Sequence, residues 1–351
     1  MFLGMIGLFL MGKLTLDEIG RLAGVSRATV SRVVNNYPYI RPEIRQRVQK
    51  VIDETAFHPN AVARSLALNA TNIIGLFVPN VVKFIFADSY LTALIPEISR
   101  ACNAYDYTPA LFLFHSQGDE QKQFRRILHS SMVDGLIVTA DRLDREFMPQ
   151  LINKRLPFVL LGRPSQFSER ITYIDSDNRG GAYMAIKHLL NLGHRRISII
   201  TNSLNTAADD RTEGYRQALT EAGLPIRPEL MAEGDFTEPS GYAAMQQLIQ
   251  QRPDAVFVVS DTMAFGALRA LSKAGINVPR DIALVSFDDM PIAATANPPL
   301  TTVRQSIGNG ALAVSTLLEM IKTGDSTPKH IIVPTELIVR TSCGAVQSGS
   351  S

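Results

Sequence analysis

In "EIGRLAGVSRATVSRVVN", residues 18–35, the side chains of Ser26, Arg27, Thr29, Ser31, Arg32 and Asn35 crowd hydrogen-bonding groups onto one short helical stretch. Such a segment reads polar edges; it does not make or break bonds. If it lies in a major groove, its first turn brings Arg27 and Ala28 to the bases. Arg32, one turn on, offers a fork that matches the O6 and N7 atoms of a guanine. Ser26, Thr29, Ser31 and Asn35 suit phosphate oxygens, contacts that set register rather than sequence, and Thr15 and Asn60 are expected DNA contacts as well. A lone exposed arginine is usually only solvated. Here the donors coincide with a capped turn, an apolar triad and an excess of positive charge, and the combination points to DNA.

The elements that must hold this segment are legible around it. Thr15-Leu16-Asp17-Glu18 is a capping box, with the threonine hydroxyl and the Glu18 carboxylate each satisfying a backbone N–H. Leu16, Ile19, Leu22 and Ala23 then recur on one helical face. Gly24 permits a tight turn, Val25 points back to the core, and Ser26 caps a second helix whose Val30, Val33 and Val34 face inward. A third helix starts at Pro42, with Ile44, Val48, Val51 and Ile52 as its inner wall. Two short helices around a glycine turn, the second polar outside, make a helix-turn-helix. His58-Pro59 stops the third helix. Asn60 caps a short helix over 61–68, whose Val62 and Leu66 are too few to fold alone. That segment reads as a hinge that orders only with a partner.

Charge agrees with this division. Residues 1–70 carry nine Lys/Arg against five Asp/Glu, while the remaining residues are net −2, so a polyanion meets the head and not the body. Cys102 and Cys343 show neither metal spacing nor a paired framework, which suits a reducing compartment. The apolar start "MFLGMIGLFLMG" lacks a basic leader and abuts the first helix. It reads as a mis-assigned start or disordered leader over 1–12, with initiation at Met11; a membrane tether is the alternative. Elsewhere no run reaches the ~18 apolar residues of a spanning helix.

From Ile73 the pattern changes to short apolar runs, "IIGLFV", "ALFLF", "GLIVTA", "FVLL", "ISIIT", "AVFVVS" and "IALVSF", separated by helical stretches such as Tyr183 to Leu192 and Thr262 to Lys273. Buried parallel strands read this way. We expect an α/β body of about ten strands in two similar lobes, with ligands at the carboxyl ends of the strands. No dinucleotide fingerprint, phosphate-binding loop or nucleophile–base motif is recognisable, and the six histidines are scattered. We therefore expect no enzyme, no catalytic residues, no metal and no cofactor.

"TLDEIGRLAGVSRATVSRVVNN" followed by "HPNAVARSLA" resembles the LacI family of bacterial transcription regulators. The body matches too, in "IGLFVPN", "DGLIV", "HLLNLGHRRISII", "RTEGYRQAL", "DAVFVVSDTMAFGALRAL", "GINVPRDIALVSFDD" and "PPLTTVRQ". The likeness covers residue 13 to about 342. It implies a small all-α helix-turn-helix head, a hinge helix, and a two-lobed, doubly wound α/β core like periplasmic sugar-binding proteins. It further implies a homodimer on a palindromic operator in double-stranded DNA. The implied domains are the head over 13–58, hinge and linker over 59–72, ligand-binding and dimerisation core over 73–343, and a disordered tail over 344–351.

By that resemblance Arg27, Ala28 and Arg32 take the base-reading positions. Leu66 takes the place of a leucine wedged into the minor groove by paired hinge helices, with Ala63 and Arg64 beside it; an apolar wedge unstacks a base step and kinks the duplex. In the core, the matching positions offer Phe84 and Phe86 after the first strand, Arg163 after "FVLLG", Arg211 in "DDRTEGY", Ser260 and Asp261 after "AVFVVS", and Asp288 after "IALVSF". Aromatic faces with a few bidentate charges suit a sugar or nucleoside. Duller roles stand beside these: core packing for the two Phe, a helix cap for Asp261, a turn for Asp288, a helix-surface ion pair for Arg211. "NVVKFIF" also departs from the family's usual run, which leaves the register of Phe84 and Phe86 open.

The expected function is a sequence-specific regulator, a repressor, whose operator affinity follows a small effector bound between the lobes. A sugar inducer is expected, with a purine-like corepressor as the alternative. A solute receptor of a transport system is the reading from another class. The dimer is expected through helices near 88–104 and 262–275, and the location in the cytoplasm, on the nucleoid when operator is bound.

Overall fold

A computed structural model describes residues 14–35, 37–57, 70–81, 89–139, 147–154, 156–203 and 205–345. The expected hinge positions Asn60, Ala63, Arg64 and Leu66, and the pair Phe84 and Phe86, lie outside the described residues. Contacts divide the chain into two units, Met1–Thr71 and Asn72–Ser351.

Among its described residues the first unit holds three helices: α1 (Leu16–Ala23), α2 (Arg27–Val34) and α3 (Pro42–Thr55). The capping box forms as read, with Thr15 N donating to Glu18 Oε2 at 2.7 Å and Glu18 N to Thr15 Oγ1 at 3.3 Å. Gly24 ends α1 at φ 64°, where a side chain would be strained. Gly20 is equally constrained for a different reason: a Cβ there would meet the Val25 carbonyl oxygen at 2.8 Å, so the turn closes only on a bare backbone. Ile19, Ala23, Val30, Val33, Val48 and Phe57 are buried together, with Leu16, Val34, Ile44, Val51 and Ile52 packed around them. Leu22 departs from its expected inward place and is 52% exposed.

The second unit holds two six-stranded sheets, one per lobe. The first lobe runs β1 (Ile73–Val81), α4 (Ser89–Ala104), β2 (Thr108–Phe114), α5 (Gln117–His129), β3 (Gly135–Thr139), α6 (Phe147–Asn153), β4 (Phe158–Leu161) and β5 (Tyr173–Ser176). The second runs α7 (Asn178–Asn191), β6 (Ile197–Thr201), α8 (Thr206–Glu221), β7 (Met231–Glu233), α9 (Glu238–Ile249), β8 (Ala255–Val258), α10 (Asp261–Lys273), β9 (Ala283–Asp288), α11 (Pro291–Thr295) and β10 (Thr301–Arg304). The chain then returns to the first lobe through α12 (Asn309–Thr323) and β11 (His330–Val333), and ends in the second with β12 (Glu336–Ile338). The sheet orders are β11-β5-β4-β3-β1-β2 and β12-β10-β9-β8-β6-β7. All pairings are parallel except β10 with β12.

The backbone therefore crosses between lobes three times, at 176–178, 304–309 and 333–336. The seven apolar runs of the sequence all became strands. The five added strands (β5, β7, β10, β11 and β12) are three or four residues long and mix polar with apolar residues, so they carry no run of their own. Four of them flank or form the crossings, where buried polar groups are needed. Helix α12 belongs to the first lobe: Ala313, Val314 and Leu317 are buried with Leu94, Ile98 and Ile137.

Candidate nucleic-acid interface and ligand cleft

On the head, Ser26 caps α2 by accepting from Thr29 N at 3.2 Å, and its hydroxyl is hydrogen-bonded to Thr29 Oγ1 at 2.9 Å. The cap fixes where the helix starts and hence which side chains lead. Arg27, Ala28 and Arg32 are exposed. Arg27 makes only a 3.7 Å contact with Asp17, both side chains about two-thirds exposed, a pairing too weak to withhold it from a phosphate or base. Arg32 leans toward the Tyr37 ring at 5.8 Å. Ser31 accepts from Asn35 Nδ2 at 3.4 Å. Thr15 is occupied by its capping box, the Thr15 backbone bond being the first of the effects that hold Glu18 below the usual carboxylate range.

Two exposed aromatic residues follow α2. Tyr37 is 49% and Tyr39 86% exposed, edge-to-face at 5.9 Å, in a segment held by Arg45 Nη2 donating to the Tyr37 carbonyl at 2.6 Å. The spelling "NNYPYIRP" was the available signal: two tyrosines around a proline, outside any apolar period.

In the core, the expected ligand residues separate into three fates. Arg211 and Asp288 come together. Arg211 sits on α8 and is 4% exposed. Its Nη1 donates to the Val259 carbonyl at 2.6 Å and to Asp288 Oδ1 at 3.2 Å, its Nε to Asn178 Oδ1 at 2.9 Å, and its guanidinium lies 3.7 Å from the Phe287 ring centre. Asp288, at the end of β9, has φ 117°, and Asp289 beside it φ 57°. Two successive positive φ values without glycine are a strained corner, a feature that clusters at binding sites. Burial is the main cause raising Asp288 above the usual carboxylate range, with nearby Asp261 adding to it and Arg211 and Gln305 opposing.

This pair is gripped from the crossings. Asn178, the first residue past the 176–178 crossing, holds Arg211, and also donates to Asp175 Oδ1 at 3.0 Å. Gln305, in the 304–309 crossing, donates to Asp288 Oδ1 at 2.6 Å and accepts from Ser176 Oγ at 3.1 Å. Asn309 Nδ2 in turn donates to Ser176 Oγ at 3.2 Å. Asp175 is pushed up to about 6, first by burial, against backbone bonds from Ser176 and Arg163. One hydrogen-bonded chain thus runs from the guanidinium through two of the three strands joining the lobes.

Ser260 and Asp261 are placed otherwise than expected. The Ser260 hydroxyl, not the Asp261 carboxylate, caps α10 by accepting from Met263 N at 3.3 Å. Asp261 is wholly buried. Its Oδ1 accepts from Ser286 Oγ at 2.6 Å and Thr302 Oγ1 at 2.8 Å, and its Oδ2 from Met290 N at 2.7 Å. Both oxygens are spent inside the second lobe, where they pin the loop that follows Asp288. The physical reason is that three donors inside the lobe, Ser286, Thr302 and the Met290 backbone, take up both carboxylate oxygens of a fully buried side chain.

Arg163 is also diverted. Its Nε and Nη2 donate to Asp210 Oδ2 and Oδ1 at 3.0 and 2.7 Å, from the first lobe to the second. Asp210 is the leading cause of its raised pKa. A residue not foreseen is Thr139, at the carboxyl end of β3; it is 6% exposed, and its hydroxyl has no hydrogen-bond partner among the described residues. A buried unpaired hydroxyl at a strand end is a ready contact for a polar ligand. The sequence showed it only as the last polar residue of "GLIVT".

Residues 15–60 match the model for bacterial regulatory proteins of the lacI family, and 186–343 that for a periplasmic binding protein-like domain. The chain is 35% identical over 334 residues to the HTH-type transcriptional regulator CelR of Thermobifida fusca, covering 93% of this chain and 98% of that one. It is 34% identical over 337 residues to the HTH-type transcriptional repressor PurR of Aliivibrio salmonicida (strain LFI1238), with the same coverage. Among solved structures it is similar to a CelR–cellobiose complex (34% identity, 94% of this chain and 100% of that one, TM-score 0.73). It is also similar to the Lac repressor dimer bound to operator and the anti-inducer ONPF (26% identity, 95% and 100%, TM-score 0.83). With the capped recognition helix, the two parallel-sheet lobes and this near-complete match, the chain belongs to the lacI family of bacterial regulatory proteins.

Proposed function

We propose that the chain is a transcriptional repressor whose grip on a palindromic operator is set by a sugar held between the lobes of its core. The observation that carries this reading is the buried Arg211–Asp288 pair, held by Asn178 and Gln305 beside two lobe crossings. A guanidinium next to a carboxylate, over an aromatic ring, suits neighbouring hydroxyl groups that donate to one and accept from the other. A ligand that takes up either charge disturbs a hydrogen-bonded chain that reaches the crossings, and so changes the balance of lobe arrangements. It shifts that balance only by its preference for one of them. The head supplies the other half of the linkage, with Arg27, Ala28 and Arg32 facing bases and Ser26, Thr29, Ser31 and Asn35 facing phosphates. Tyr39 joins them by its exposure.

The cellobiose in the CelR complex supports a sugar, and a sugar acting as inducer would loosen operator binding. A purine-like corepressor is the second reading, supported by the likeness to PurR. For the homodimer, the second lobe offers a groove lined by Tyr242, Phe265, Leu268, Arg269, Lys273 and Asn297, four of them on the helix expected to pair. The reading places the protein with the chromosome in the cytoplasm and gives it no catalytic role. Among the described residues no helix is long and apolar enough to cross a membrane.

The test combines a thermal-shift screen of mono- and disaccharides and nucleobases with retardation of genomic fragments upstream of the coding region. A hit that raises the melting temperature and changes duplex affinity supports the reading, because a ligand bound by the native state stabilises it by mass action. Duplex binding that weakens steeply with salt is the electrostatic signature. Sugar binding with no affinity for any duplex would overturn it in favour of a solute receptor.

A further inference from the structure

We propose that Arg163 and Asp210 form a latch that holds the two lobes closed without any effector. Arg163 follows β4 in the first lobe and Asp210 lies in the second turn of α8 in the second lobe. Their two parallel N–H···O bonds, 3.0 and 2.7 Å, are the bidentate geometry that gives an arginine–carboxylate pair its directionality. The same corner carries another inter-lobe bond, from Thr206 Oγ1 to the Arg163 carbonyl at 2.5 Å. The Arg163 backbone is in turn anchored to its own lobe, its N–H donating to Asp175 Oδ2 at 3.1 Å. A second tie joins Ser89 Oγ and Thr262 Oγ1 at 2.8 Å.

These contacts differ in kind from the crossings. Ser176, Gln305 and Asn309 sit where the chain itself passes between lobes, and are buried. Arg163 and Asp210 lie off the crossings, and their side chains are 37% and 26% exposed. Water can replace each bond as the lobes part, so the pair can open without breaking a core. It is strong enough to bias closure and weak enough to release. The guanidinium that sequence placed on the ligand is thus spent on the facing lobe, and ligand entry requires the latch to part first. This goes beyond the effector reading, since it assigns a closing contact to the chain's own side chains.

The test uses the effector-free full-length protein with one doubly labelled subunit per dimer. Dyes are attached at Arg125→Cys and Gln246→Cys, both exposed and one on each lobe; native Cys102 and Cys343 are buried and stay unlabelled. Single-molecule energy transfer reads the lobe separation. Asp210→Ala and Arg163→Met should each raise the long-separation population roughly three- to tenfold, the range for a partly exposed bidentate pair. The double variant should open no further than either single one, because both remove the same bonds. Higher salt should move the wild type toward the variants and leave the variants unmoved. Thr206→Ala, which keeps both charges, should give a smaller shift in the same direction and covers the case of a charged-site variant that misfolds. Distributions indistinguishable from wild type in Asp210→Ala and Arg163→Met, or single effects that add in the double variant, would overturn the latch.

Discussion

Gln305 Nε2 lies 2.6 Å from Asp288 Oδ1, and this bond joins a lobe crossing directly to the buried acid that ends β9. The amide is nearly buried, as is the carboxylate, so neither has water as a substitute partner. If Asp288 takes up the effector as proposed, a side chain at this place reports it.

Gln305→Leu therefore separates binding from response. The effector should still raise the melting temperature, since Arg211 and the rest of the cleft are intact, but should change operator affinity much less than in wild type. The variant loses a donor to a buried carboxylate and should cost about 1–3 kcal/mol in chemical denaturation. A full operator response in Gln305→Leu would remove the residue from the coupling chain.

Arg211→Ala tests the cleft more severely than its sequence context suggested. On a helix marked only by "DDRTEGY" it could be changed without penalty to the fold. In the structure, however, its loss strands Asp288 in the interior. Breaking a buried pair from one side costs about 3–5 kcal/mol. The expected outcome is loss of effector-induced stabilisation together with a clear fall in baseline stability. Arg211→Ala/Asp288→Asn should recover part of the stability and none of the effector binding, which calorimetry and thermal shift would resolve.

What sequence could and could not reveal follows from how each feature is encoded. The head is local: Thr15, Gly24, Ser26 and Pro42 act on their own neighbours, so caps and helices were readable. The seven long strands are apolar runs and were readable too. The crossings are built from Ser176, Asn178, Gln305 and Asn309, polar residues whose partners lie more than a hundred positions away in the Ser176 contacts. Nothing local marks them. Asp261 shows the opposite error, since an acid after a strand looks like a ligand group until Ser286, Thr302 and Met290 are seen to consume it. Asp210 was visible only as a neighbour of Arg211, and its partner in the other lobe was not.

Asp175 gives a pH test. Its pKa is raised from the ordinary carboxylate value to about 6, chiefly by burial. The native state then holds a proton that the unfolded chain releases, so this residue's stabilising contribution is complete below the unfolded value and declines as pH rises through the folded one. Between roughly pH 4 and 6 wild type should lose stability relative to Asp175→Asn, by on the order of 2–3 kcal/mol in total, and the difference should be flat above that window. Urea titrations of both proteins across this range check it; a stability difference that stays constant with pH would show that Asp175 titrates normally.

On the head, Arg27→Ala and Arg32→Ala should leave the melting transition unchanged, because both side chains are exposed and neither joins the helical core. If each reads a base, each should cost about 1–3 kcal/mol on the preferred operator and relax preference at one position. Ser26→Ala should behave differently. It removes the cap of α2, at a cost of about 1 kcal/mol to the fold, and should weaken binding to all duplexes together. Competition binding with single-base operator variants distinguishes the two patterns.

Asp261 lies beside Asp288 but spends both its oxygens inside the second lobe. Its three donors, Ser286, Thr302 and the Met290 backbone, all belong to the second lobe and hold the strained Asp288–Asp289 corner in place. Asp261→Ala leaves those groups buried without an acceptor and should destabilise the core by several kcal/mol. Asp261→Asn keeps the shape but can accept with only one atom, and should fall between. Since both its oxygens are taken by protein donors, effector affinity measured on the fraction that remains folded should change less than tenfold in Asp261→Asn, whereas Asp288→Asn, which weakens the buried pair with Arg211, should lose affinity as well as stability. Comparable losses of affinity in the two variants would return Asp261 to the cleft.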